Sequence, residues 1–133
     1  LNIRPRTTAA NYAKVWLPEG SPITVYTRAQ AEALQARLGD GVTVDWAMRY
    51  GTRTIGEGLT GLMKAGCDRI LLAPLYPQYS AATNATVVDE AARVLGTMRW
   101  QPSLRTMAPY FDNPDHVAAL AGSIRDGIAA LDF

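Results

Sequence analysis

The run Arg69 to Ser80, R-I-L-L-A-P-L-Y-P-Q-Y-S, restricts the fold of this chain more than any other stretch. Ile70, Leu71, Leu72 and Ala73 are continuously apolar, the pattern of a central parallel strand covered by helices on both faces. Pro74 and Pro77 then end the ladder, because neither has the N–H that a central strand must donate. A loop dense in flat rings and hydrogen-bonding groups follows, with Tyr76, Gln78, Tyr79 and Ser80 in five residues. In open α/β sheets the C-terminal strand ends are where ligands bind, so this loop is the first candidate site.

The chain has 133 residues, 48% of them hydrophobic and 19% charged, with a net charge of +1. That is the size of one ordinary domain with enough apolar residues for a sizeable core. The composition is not that of a disordered chain and lacks the strongly basic character of a nucleic-acid binder. No stretch approaches the ~20 apolar residues of a membrane span, and the opening L-N-I-R-P-R lacks the apolar h-region expected of a signal peptide. Cys67 is the single cysteine. It excludes an internal disulfide and fits a reducing, cytoplasmic setting.

In chain order, Thr7 or Thr8 is expected to cap a short helix through Trp16, and Leu17 to Pro22 reads as a turn. A start without a strand suggests that earlier residues of an α/β domain are missing. Thr27 and Gln30 form a capping box ahead of Ala31, Leu34 and Leu38, and Gly39 supplies the stop. Val42, Val44, Trp46 and Met48 alternate with polar or small residues as in a strand, which delivers Arg49 and Tyr50 to its end. Thr54 and Glu57 make a second capping box before Ile55, Leu59, Leu62 and Met63, and the glycines at 56, 58 and 61 suggest close helix–sheet packing. Thr83 or Thr86 is expected to cap a helix to about Leu95, with Val87, Val88, Ala91 and Leu95 inward. Ser103 to Ala108 is a weaker strand. Asn113 as N-cap and Pro114 as first residue open a last helix carrying Val117, Leu120, Ile124, Ile128 and Leu131 at helical spacing. Strands alternating with helices predict an α/β fold with a doubly wound parallel sheet.

That topology gathers Arg49–Tyr50, Leu75–Ser80 and Pro109–Tyr110 at one sheet edge, a cleft suited to a large planar ligand. Tyrosine faces stack on conjugated rings, and a guanidinium forks onto a carboxylate. The competing reading has the aromatics roofing a core and Arg49 pairing with a nearby aspartate. His116, the only histidine, lies in N-P-D-H at a helix start and reads as a surface side chain. No cluster with metal-ligand spacing, no nucleophile elbow and no phosphate-binding glycine loop is present.

Glu19 to Ile23 (E-G-S-P-I), Met48 to Gly51 (M-R-Y-G) and Pro74 to Ser80 (P-L-Y-P-Q-Y-S) occur in the order and spacing of the ferrochelatases. Y-A-K-V-W, T-R-A-Q-A, Y-F-D-N-P-D-H and A-L-A-G-S-I add to the match, so the chain resembles that family over essentially its whole length. The resemblance implies a Rossmann-like, chelatase-type fold and the insertion of ferrous iron into a porphyrin, protoporphyrin IX, to make haem. It implies that residues 1–133 are most of the first of two similar domains, without the opening strand and without the second domain. The histidine and glutamate that serve metal insertion fall in that second domain, so this segment holds no catalytic or metal-ligating residue and is expected to be inactive alone.

By position, Arg4, Tyr12 and Ser21 resemble residues that contact the porphyrin, and Arg49 and Tyr50 resemble the pair lining the metal-insertion face. Arg4 can meet a propionate, Tyr12 and Tyr50 can pack on the macrocycle, and Ser21 can bond a carboxylate or simply shape its turn. Two departures stand out: Arg53 where the family commonly has proline, and Ala81 to Asn84 where serine and threonine are denser. The partners implied are a porphyrin and ferrous iron and no nucleic acid. Peripheral membrane contact and self-association through open sheet edges are compatible with the sequence. An iron–sulfur cluster, found in some members of the family, needs cysteines that this segment does not contain and that a C-terminal extension could carry. A non-catalytic small-ligand domain on the same fold, or a chelatase for another metal or tetrapyrrole, are the alternatives.

Overall fold

The computed structural model describes residues 3–131, with side chains over residues 7–131. It divides into two compact units, Leu1–Cys67 and Asp68–Phe133.

The first unit opens with helix α1, Ile3–Ala13. It begins before the expected Thr7 or Thr8 cap, since a proline at position 5 falls in the first turn, where its missing N–H costs nothing. A tight turn follows, in which Leu17 and Gly20 exchange two backbone hydrogen bonds of 3.0 Å. Helix α2 spans Pro22–Leu38, with Ser21 extended at its N-cap. The capping box expected at Thr27 therefore lies inside the helix. Pro22 at the first helical position, with φ already fixed, starts it a turn and a half earlier. The C-terminal end falls where expected, at Gly39 with φ +69°.

Residues 42–47 form no strand, contrary to the alternation in the sequence. The reason is a competitor for the backbone. The Gln35 side chain donates to the carbonyls of Gly39 and Val42, both at 2.9 Å, and accepts from the Val44 N–H at 2.7 Å. Helix α3, Ile55–Lys64, carries the expected capping box: Thr54 Oγ1 accepts from the Glu57 N–H at 3.3 Å and Glu57 Oε2 accepts from the Thr54 N–H at 2.6 Å. Ile55 and Leu59 are each 4% exposed. Gly58 lets the extended segment lie close, since a Cβ there would sit 3.3 Å from that of Ala47.

The second unit is a βαβ arrangement. Strand β1, Arg69–Leu72, pairs in parallel with strand β2, Ser103–Thr106, in the register Arg69 to Ser103 through Leu72 to Thr106. Helix α4, Thr86–Leu95, connects them and buries Ala91 and Val94. A single turn of π-helix, Ala81–Ala85, precedes it. Neither Thr83 nor Thr86 caps α4; the Thr86 hydroxyl instead donates back to the Thr83 carbonyl at 2.9 Å, inside the continuous π-to-α coil. The observed class is mixed α/β with a two-stranded parallel sheet.

Leu71 is 63% exposed although Ile70 is 8% exposed, so β1 is covered on one face and not on both. Successive strand side chains point to opposite faces, and only the Ile70 face is packed. Helix α5, Pro114–Ala129, begins as expected: Asn113 Oδ1 accepts from the N–H groups of Asp115 at 2.9 Å and His116 at 3.3 Å. Val117, Leu120, Ile124 and Ile128 keep helical spacing along it, yet each is about half exposed, and Leu131, expected on the same stripe, lies past the helix end at Ala129.

Candidate functional site

Arg49 and Tyr50 lie at the tip of a turn built between the extended segment and α3. The Met48 N–H donates to the Arg53 carbonyl at 2.8 Å, and Met48 and Thr54 form a parallel bridge, so four residues loop out between fixed ends. Gly51, at φ +89°, turns the chain in a conformation open chiefly to glycine. Tyr50 is 73% exposed, and the Arg49 guanidinium carbon stands 4.6 Å from the centre of its ring. A cation over an exposed aromatic face is a ready platform for a flat, anionic molecule, since the ring stacks and the guanidinium forks onto carboxylate oxygens.

Arg53 closes the turn. Its Nε donates to the Trp46 carbonyl at 2.8 Å, its Nη2 pairs with Asp45 Oδ1, and its guanidinium carbon lies 4.6 Å from the centre of the Trp46 ring. Sequence reading noted Arg53 as a departure and missed this clamp. The signal available was Asp45–Trp46, an acid and a flat ring at the foot of the same turn.

Tyr12 is on α1 and 59% exposed. Ser21 is half-buried at the N-cap of α2, where its carbonyl accepts from the Val25 N–H at 3.0 Å and its hydroxyl makes no capping bond. The Arg4 side chain lies outside the described residues. The structure thus brings Arg49 and Tyr50 into contact and sets Tyr12 and Ser21 on two other elements.

In the second unit the loop after β1 is tied down at several points. The buried Asn84 donates from Nδ2 to the Tyr76 carbonyl at 3.1 Å and accepts from Thr83 Oγ1 at 3.1 Å. The Tyr110 N–H donates to the Pro77 carbonyl at 3.0 Å, joining the loops that leave β1 and β2. Ser80 and Thr83 share a 2.7 Å hydroxyl contact. Burial pushes the Tyr110 phenol above its ordinary range, and its ring meets that of His116 edge-on at 5.2 Å. Tyr76 and Tyr79 remain exposed, so the backbone is fixed while two rings stay available. Asn84 was another residue missed in sequence; its position in a π-turn, a geometry frequent at functional sites, is invisible to periodicity. Among the described residues no three His, Cys, Asp or Glu side chains gather as a metal-binding group, and no helix is long and apolar enough to cross a membrane.

Comparison with known proteins adds an independent line. The family model for ferrochelatase matches residues 1–132. The ferrochelatase of Nitrobacter hamburgensis is 53% identical over 137 aligned positions covering all of this chain and 40% of that protein. That of Bradyrhizobium sp. strain BTAi1 is also 53% identical, over all of this chain and 39% of its own length. That of Azoarcus sp. strain BH72 is 51% identical over 95% of this chain and 35% of its own. No solved structure matches the chain. The chain thus spans about 40% of the length of the curated relatives it matches. With the M-R-Y-G turn and the P-Q-Y-S loop inside a family match that runs from residue 1 to residue 132, the chain belongs to the ferrochelatase family.

Proposed function

We propose that this chain is the porphyrin-binding segment of a ferrochelatase, which inserts ferrous iron into protoporphyrin IX to make haem. The observation that carries the reading is the Arg49–Tyr50 tip, an exposed ring under a guanidinium at 4.6 Å on a turn fixed at both ends. Tyr50 and Tyr12 pack against the macrocycle, Arg49 and Arg4 meet its propionates, and Ser21 bonds a carboxylate oxygen. Insertion replaces two pyrrole protons by one Fe²⁺ and releases two H⁺. The base and the metal ligands for that exchange belong to the second domain of the full-length protein. The fold of that protein's first domain is a doubly wound, Rossmann-like sheet, of which the β1–α4–β2 unit supports the parallel core, and its setting is cytoplasmic. The half-exposed apolar stripe of α5 supports self-association of the isolated segment.

Steady-state iron insertion by the full-length protein tests this. Arg49→Ala is expected to raise the porphyrin KM about tenfold, the scale of one partly exposed charge-assisted contact. A full-length protein that binds no porphyrin and inserts no iron, cobalt or nickel would favour a non-catalytic ligand domain.

A further inference from the structure

We propose that Arg53 is the positioning residue of the Arg49–Tyr50 turn, holding that pair through a clamp on the residues that precede it. Among the described residues Arg53 is the non-glycine residue with positive φ, at +58°. An L-residue with a Cβ adopts that region at a cost, and such outliers persist where surrounding contacts over-determine them. Here the contacts are present and all point one way. The side chain folds back across the base of the turn, with Nε on the Trp46 carbonyl at 2.8 Å, Nη2 on Asp45, and the guanidinium on the Trp46 face at 4.6 Å. Its carbonyl accepts from the Met48 N–H at 2.8 Å, and Thr54 beside it caps α3. Residue 53 therefore joins the incoming segment, by backbone and side chain together, to the start of a helix. Residues 49–52 hang between those anchors.

The chemistry distinguishes the residue types that can stand here. Glycine accepts φ +58° and forfeits the clamp. Lysine keeps a charge for Asp45 but has neither an Nε–H fixed in the plane of a fork nor a flat group for Trp46. Proline, locked near −65°, excludes this backbone altogether. The turn in this chain is held by side-chain contacts and not by ring-fixed backbone geometry.

Two measurements on the full-length protein test the proposal, the second of which rests on the porphyrin reading above. Arginine-labelled NMR follows the side-chain protons of Arg49, which are expected to lie upfield because the guanidinium carbon stands over the Tyr50 ring at 4.6 Å. Arg53→Ala and Arg53→Gly are expected to abolish that shift and Arg53→Lys to leave an intermediate value, with far-UV circular dichroism unchanged in the glycine variant. An unchanged Arg49 shift in both Arg53→Ala and Arg53→Gly overturns the proposal. Porphyrin titration is expected to show three- to tenfold weaker binding for Arg53→Ala, and no further loss when the same change is added to Arg49→Ala/Tyr50→Ala. Equal loss in both backgrounds overturns positioning through that pair. If Arg49→Ala/Tyr50→Ala leaves porphyrin affinity untouched while Arg53→Ala still removes the NMR shift, the positioning role stands and the porphyrin reading fails.

Discussion

The side-chain amide of Asn84 donates to the backbone carbonyl of Tyr76 at 3.1 Å, from a site only 5% exposed. This bond crosses from the π-turn to the Tyr76–Ser80 loop and satisfies a carbonyl that the prolines on either side leave outside any ladder. Asn84→Ala removes the donor and is expected to cost about 1–3 kcal/mol in urea unfolding, the range for leaving a buried polar group unsatisfied. Asn84→Asp sets an acceptor against an acceptor and is expected to cost more. Equal stability of all three proteins would mean that the loop is held by other contacts.

Glu57 provides a pH test. Its carboxyl lies below the ordinary value of 4.5, first because it accepts from the Thr54 N–H and second because it accepts from the Thr54 hydroxyl. A lowered folded-state pKa means that the unfolded chain binds the proton more readily. The stabilisation is therefore complete above pH ~4.5 and is lost as pH falls through the folded-state value. Glu57→Gln is expected to flatten the acid limb of a plot of thermal midpoint against pH, relative to the unsubstituted protein. An identical acid limb would show that the capping box is not formed in solution.

Gly58 and Gly61 share helix α3 but not their surroundings. A Cβ at Gly61 meets Asp45 Oδ2 at 3.9 Å, an ordinary contact, whereas one at Gly58 meets the Ala47 Cβ at 3.3 Å. Gly61→Ala is expected to stabilise by up to about 1 kcal/mol, the helix-propensity gain alone. Gly58→Ala is expected to gain less or to destabilise, because Ala47 must shift to make room. Denaturant midpoints of the two variants give the comparison, and a larger gain at Gly58 would contradict the close approach.

The features readable in the sequence are those fixed by neighbouring residues. The Thr54–Glu57 box, the Asn113–Pro114 start of α5, the Gly39 stop of α2 and the strand at Ile70 each need only a few adjacent side chains, and each stands where expected. The alternation from Val42 to Met48 looks like a strand but requires a partner ladder, and the Gln35 amide takes two of the backbone groups such a ladder would use. Leu71 and the α5 stripe show the same limit. Apolar spacing marks a face that can be buried without saying what buries it. In the candidate site, Arg49 and Tyr50 were legible as residues, while their mutual contact and the backward reach of Arg53 depend on a positive φ that no pattern of residue types announces.

A Soret-band titration of the full-length protein with protoporphyrin, alone and as Tyr12→Ala, Arg49→Ala and Tyr50→Ala, tests whether this segment is the porphyrin-binding wall. A saturable red shift is expected in the unsubstituted protein and weaker binding in each variant, with Arg49→Ala losing affinity for the free acid and much less for the dimethyl ester, whose propionates carry no charge. Affinities that none of the three substitutions changes would contradict the assignment of this segment as the porphyrin-binding wall.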